Sequence, residues 1–249
     1  MVGILPLIMV TLLSAMTAQL STMLARQSMV MGGVNGARQD LDALAQAKQA
    51  LLDFVIAQGG GHLPCPNQNG DGLAANSDCP KEGNPQSPPS MLGLLPWSSL
   101  GLPPLRDRQG QCLWYAVSGW HKSTASGASH ADLTEASAAG FSVVSLAGQS
   151  RAEQVVAGIM APASPLTPQA PHAVSDAPCA LPERAASSAS AYLPPVTLAN
   201  GEQVNVAQLG TTPRFEQTFA QATDLRMAWI TRTEFNQALA HHRRWSGTP

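Results

Sequence analysis

The sequence predicts an α+β protein: a long N-terminal helix, transmembrane at first and amphipathic further on, packed on a small antiparallel sheet and surrounded by loops. Three observations lead there. Residues 3–24 (GILPLIMVTLLSAMTAQLSTML) hold no charged side chain, and none precedes Arg26. Such a stretch crosses a bilayer as a helix at ~1.5 Å per residue. Residues 37–58 repeat Leu41, Leu44, Ala47, Leu51 and Phe54/Val55 every three or four positions, which is one face of a helix. Beyond Gly59, short alternating or β-branched runs are separated by stretches rich in glycine and proline. The expected organisation is therefore 1–25 as the transmembrane half of the helix, 26–58 as its amphipathic half, and 59–249 as a globular domain.

In the first half, the only polar residues are Ser, Thr and Gln19. Hydroxyls can return to the helix's own carbonyls, so lipid tolerates them. No basic residue precedes the apolar run, and a cut after Ala18 would set Met16 at the small-residue site of a signal peptide. A retained helix fits better, with any basic leader lying upstream of Met1. Gly32, Gly33 and Gly36 then mark either a soft joint or a continuous helix with a small-residue face, each glycine costing ~1 kcal/mol relative to alanine. Gly59-Gly60-Gly61 stops the helix.

The loop that follows, through Pro96, has no hydrophobic period. Arg108-Gln109-Gly110 reads as a turn into a strand over Cys112–Ser118. Phe141–Ala147 and Gln154–Ala161 read as a hairpin pair. Residues 162–195 hold eight prolines and read as a long surface excursion. Phe215–Ala222 reads as a short helix and Asp224–Thr231 as a fourth strand. Thr231 and Glu234 have capping-box spacing, opening a last helix that runs to about Arg244. The helical stripe over 41–55 is expected to lie across one face of the sheet.

A formal net charge of −2 over 249 residues gives no reason to expect a nucleic-acid partner. With 12% charged residues, 21 glycines and 20 prolines, the outer part is loop-rich rather than a helical bundle. The four cysteines, Cys65, Cys79, Cys112 and Cys179, all follow the apolar segment, which suits an oxidising compartment. Three pairings are open. Cys65–Cys79, closing a short loop, with Cys112–Cys179, stapling the proline-rich excursion to a strand, is the favoured one; free buried cysteines are the alternative.

Several ordered motifs resemble a family. ALLDFVIAQGGGHLPCP (50–66) is followed by GLLPWSSLGLP (93–103) and LWYAVS (113–118). VVAGIMAP (155–162), Cys179, AYL (191–193) and LRMAWITRTEF (225–235) come later. With the long N-terminal helix, these are similar to type IV pilins and type II secretion pseudopilins, and to pilin-like proteins with GxLPCP, LPWxxLGL and YAVS segments.

The resemblance implies a minor pilin or pseudopilin at a filament tip or initiation complex, with other pilin or pseudopilin subunits and the inner membrane as partners. It implies a single-pass inner-membrane protein whose globular domain is periplasmic or displayed on a filament. It also implies prepilin-peptidase cleavage after Gly3, leaving Ile4 at the mature terminus. Two departures stand out: Met1-Val2 is not basic, and Ile8 falls where the family's glutamate would be. A subunit lacking that glutamate suits an end of the filament. The second reading is a membrane-anchored binding or adhesin-type module that does not polymerise.

For ligands, Asn67, Asn69 and Asp71, with Gly72 at the turn and Asp78 beyond, follow the spacing of a twelve-residue calcium loop. Low charge and the missing flanking helices leave an Asx-rich turn as the competing reading. Otherwise no cofactor is expected. His62 with Cys65, Cys79 and Cys112 lacks a CxxC pair, so zinc is disfavoured. Neither VSGWH (117–121) nor SLAGQS (145–150) is a nucleophile motif, and there is no phosphate-binding loop or dinucleotide fingerprint. No enzyme and no small-molecule substrate is expected. His121, His130 and His172 are expected to face solvent in loops, and His241-His242-Arg243-Arg244 to form the solvated end of the last helix. Trp114 and Trp229 are expected in the core against the long helix, with Trp97 and Trp120 at loop borders.

Overall fold

The stripe on residues 41–55 is the first element that the computed structural model resolves into packing. The structure describes residues 36–58, 61–75, 79, 90–122, 141–145, 150–162, 179, 189–193, 196–198, 203–204, 217–221 and 226–246. The chain divides between Gln39 and Asp40, and the fold described is that of the second unit. Helix α1 covers residues 36–58. Leu44, Ala47, Leu51 and Val55 are buried at 2% exposure or less, whereas Leu41 is 55% exposed.

Eight strands follow: β1 (Met91–Leu94), β2 (Trp114–Val117), β3 (Phe141–Ser145), β4 (Ser150–Ala161), β5 (Val196–Leu198), β6 (Gln203–Val204), β7 (Gln217–Gln221) and β8 (Arg226–Thr231). Helix α2 (Arg232–Ser246) continues directly from β8. The sheet order is β1-β2-β4-β3-β7-β5-β6, with β8 paired to β4. Strand β4 is the spine. Val155 pairs with both Phe141 and Thr231, and Ala157 with both Val117 and Ile230. Strands β2 and β3 therefore lie end to end along one edge of β4, and β8 runs along the other. Between Val155 and Ala157 the β4–β8 register shifts, leaving Val156 as an extra residue. That bulge turns both Val156 and Ala157 toward the helix side.

Alternation along the strands separates two cores. Tyr115, Val117, Ile159, Ala161 and Ile230 meet α1 together with Phe235, Ala238 and Leu239 of α2. Leu92, Leu94, Trp114, Ala116, Met160 and Met227 face the other way, against Cys179, Ala189, Tyr192 and Leu193. Both helices thus cover one face. Lys48 Nζ meets Glu234 Oε1 at 2.6 Å, and two helical turns later the His242 Nδ1 donates to the Ile56 carbonyl, so α1 and α2 run parallel.

The predicted fold class needs correcting. The sheet is not a small antiparallel one: among the described residues it has eight strands, and β3 and β7 run parallel. A parallel neighbour needs a crossover connection, and the long stretch between Ser145 and Gln217 supplies it. The long transmembrane-plus-amphipathic helix is corrected too. Among the described residues no helix is long and apolar enough to cross a membrane. Helix α1 is the amphipathic stretch, and its Arg38, Asp40, Asp42, Lys48 and Asp53 keep it from being a span itself. The single-pass inner-membrane localisation is corrected on the same finding. The apolar stretch 3–24, the Gly3–Ile4 cleavage position, Gly32 and Gly33 lie outside the described residues.

Smaller differences have local causes. Gln217–Gln221 is strand β7, not part of a helix, and pairs with β3 on one side and β5 on the other. Strand β1 falls within a stretch read as loop; it pairs Met91–Leu94 with Val117–Trp114. The capping box forms as its spacing predicts. Thr231 Oγ1 accepts from the Glu234 N–H at 3.3 Å, and Glu234 Oε2 accepts from the Thr231 N–H at 2.9 Å.

Candidate functional site

The three ordered motifs meet in one place. The loop after α1, the segment around Trp97 and strand β2 are tied together by main-chain bonds. The Leu63 N–H donates to the His121 carbonyl at 2.6 Å, and Asn67 and Leu94 exchange N–H···O bonds at 2.9 Å each. The Leu95 N–H donates to the Leu113 carbonyl at 2.9 Å, and the Ser98 N–H to the Gly72 carbonyl at 2.9 Å. The Tyr115 hydroxyl donates to the Pro64 carbonyl at 3.2 Å, and burial pushes its pKa well above the ordinary tyrosine value. Two glycines make the approach possible. A Cβ on Gly93 would lie 2.5 Å from the Asn67 carbonyl oxygen, and one on Gly72 (φ +80°) 2.3 Å from the Trp97 ring.

The disulfides Cys65–Cys79 and Cys112–Cys179 are present. The first ties the loop of this junction to residue 79. The second joins the start of β2 to the chain covering the opposite face.

Among the residues of the calcium reading, Asn67 and Asp71 come together. The Asn67 Nδ2 donates to Asp71 Oδ1 and, at 2.6 Å, to the Leu73 carbonyl; its Oδ1 accepts from the Gly70 N–H at 2.6 Å. Asp71 Oδ1 also accepts from the Leu73 N–H at 2.9 Å. These are the bonds of an Asx-tied turn, with Gly70 and Gly72 at positive φ. Asn69 is exposed in the same turn, and Asp78 lies outside the described residues. Among the described residues, no three His, Cys, Asp or Glu side chains are grouped to hold a metal ion.

The polar residues that sequence reasoning missed are buried beside this junction. His121 does not face solvent: it is 2% exposed, shares a 2.6 Å hydrogen bond with Ser118 Oγ through Nδ1, and meets the Phe235 ring edge-on at 5.1 Å. Burial, with Arg232 and His62 nearby, lowers its pKa to about 3, so the ring is neutral. Its neighbour Lys122 is 1% exposed, and burial lowers its pKa to about 8. A Ser–His pair this deeply buried offers a substrate no approach, so its chemistry is that of a packed, hydrogen-bonded turn. His130 and His172 lie outside the described residues.

At the start of α1, Asp40 is fully buried. Its Oδ1 accepts from the Arg108 N–H at 2.7 Å, and its Oδ2 lies 3.4 Å from Arg226 Nε and 3.9 Å from Arg108 Nε. It therefore ties α1 to β8 and to the 105–113 turn. Asp107 holds that turn by accepting from the Gln109 and Gln111 N–H groups, both at 2.8 Å. At Glu234, burial raises the carboxyl, but bonds from Lys48 and Thr231 outweigh it and hold the pKa below the ordinary value. Trp114 is buried on the face away from α1, with Tyr192 at 5.8 Å, and Trp229 packs partly on that same face; Tyr115 takes the helix side instead.

No family model, curated protein or solved structure matches the chain.

Proposed function

We propose that this chain is a minor subunit of a filament of the type IV pilus or type II secretion kind, placed at the tip or in the initiation complex. The observation that carries this reading is the two-faced helix. One stripe of α1 is sealed onto its own sheet, while Leu41, Asp42, Ala45, Gln46, Gln49 and Asp53 stay exposed along the other. A filament subunit needs both: a helix fixed to its own head domain, and a free side for neighbouring subunits.

Further support comes from the convergence of the GHLPCP, LPWSSLGLP and LWYAVS stretches. They are parts of one junction between helix end, loop and β2 rather than separate sites. Ile8, standing where the family has a glutamate, favours an end of the filament over its shaft. The test is affinity isolation of the tagged full chain from the cells that encode it, with mass spectrometry of what accompanies it. Pilin-type subunits are the expected companions, and deletion of the gene is expected to reduce filament number. Absence of such subunits, with filaments unchanged by the deletion, overturns the reading.

A further inference from the structure

The last turns of α2 form a surface that the filament reading does not use. After Glu234 the helix carries no acidic residue, and its last turns read His241-His242-Arg243-Arg244-Trp245-Ser246. His242 is half-buried, its Nδ1 on the Ile56 carbonyl, so this turn is held against α1. His241, Arg243, Arg244 and Trp245 are exposed. Trp245 is 82% exposed and stacks on the His241 ring, with centroids 6.2 Å apart and planes 24° apart. Arginines at a helix C-terminus are accounted for by the helix's own last carbonyls. An indole left in water is not. Trp and Arg are also the residue types that dominate binding energy at protein interfaces, and a ring pair already stacked loses little freedom when covered.

The geometry points to a docking site for an acidic segment of a partner protein, its carboxylates facing Arg243 and Arg244 and an apolar or aromatic side chain covering Trp245 beside His241. The cationic end selects acidity. Screening over about 10 Å leaves only this end of α2 to act on a bound anion. The exposed Trp245–His241 pair beside the arginines selects a protein segment that brings its own apolar side chain.

The test uses the full chain and a fluorescein-labelled synthetic peptide of alternating Glu and Phe, followed by anisotropy at low and high salt. Vesicles of anionic lipid serve as the competing source of negative charge. Saturable peptide binding that weakens with salt is expected. The R243E/R244E pair and Trp245→Ala should each weaken it about 10-fold or more, while Arg106→Glu, an exposed arginine on the 105–113 turn, should leave it unchanged. Far-UV circular dichroism on each variant establishes that the fold is kept. Wild-type affinity in W245A, equal loss in R106E, or binding to vesicles with none to the peptide overturns the proposal.

Discussion

Replacing Leu51 by alanine tests whether α1 is held by the sheet. Leu51 has no exposed surface and lies in the cluster containing Tyr115, Ile159 and Ile230. The change removes three carbons, and at about 0.8 kcal/mol each the lost transfer energy is about 2.4 kcal/mol. The cavity left between helix and sheet adds to this, so the expected cost is about 3–4 kcal/mol. For a unit of this size that lowers the melting temperature by roughly 6–16 °C. Leu41 is the internal control. It sits on the same helix but is 55% exposed, so Leu41→Ala should change stability by no more than about 0.5 kcal/mol. Urea unfolding of both variants, followed by tryptophan fluorescence and far-UV circular dichroism, gives the two numbers. A cost below about 1 kcal/mol for L51A, or equal costs at the two positions, refutes the packing argument.

Three further outcomes follow from particular residues. Opening Cys112–Cys179, which spans 67 residues, by double substitution with alanine should cost about 4 kcal/mol on the chain-entropy account; opening Cys65–Cys79, which spans 14, should cost about 3 kcal/mol, and urea midpoints rank the two. His121 has a folded pKa of about 3 against an ordinary 6.5, so the unfolded chain binds the extra proton first as pH falls. Its contribution is whole above about pH 6.5 and is lost toward pH 3, with a limiting slope of about 1.4 kcal/mol per pH unit; His121→Gln should flatten that part of the profile, whereas Lys122 acts separately, between about 8 and 10.5. Gly72→Ala forces a Cβ to 2.3 Å from the Trp97 ring at a positive φ, so a loss of at least about 1–2 kcal/mol is expected, with a changed Trp fluorescence spectrum as the local readout.

Periodicity decided which parts of this fold sequence reasoning reached. The α1 stripe, the Thr231–Glu234 capping box and the runs around β2, β4 and β8 carry strong local signals, and the structure places an element at each. Strand β1 carries no such signal. Four residues, one of them Gly93, lie between prolines, and what makes them a strand is pairing with β2 and with Asn67. β7 reads as helix in the sequence because QTFAQ is too short for its period to decide, and its partner β3 is far away in the chain.

The buried polar residues failed for a related reason. His121 and Lys122 sit in a stretch that reads as loop, and contacts distant in sequence bury them: residue 63 crosses over 121–122, and Phe235 of α2 packs on the His121 ring. A usable hint was present: VSGWH places them directly after an aromatic, β-branched strand. Asp40 is the same case, an acid on an amphipathic helix whose arginine partners are 68 and 186 positions away in the chain.

The most direct test of the central claim, that α1 shows its exposed stripe to other subunits while its buried stripe holds the sheet, is photo-cross-linking from that stripe. A photoreactive residue at Gln46 or Gln49 should form adducts with pilin-type subunits in the cells that make the protein, and one at exposed Asn69 should not. Adducts absent from both α1 positions, or arising equally from Asn69, would contradict the account.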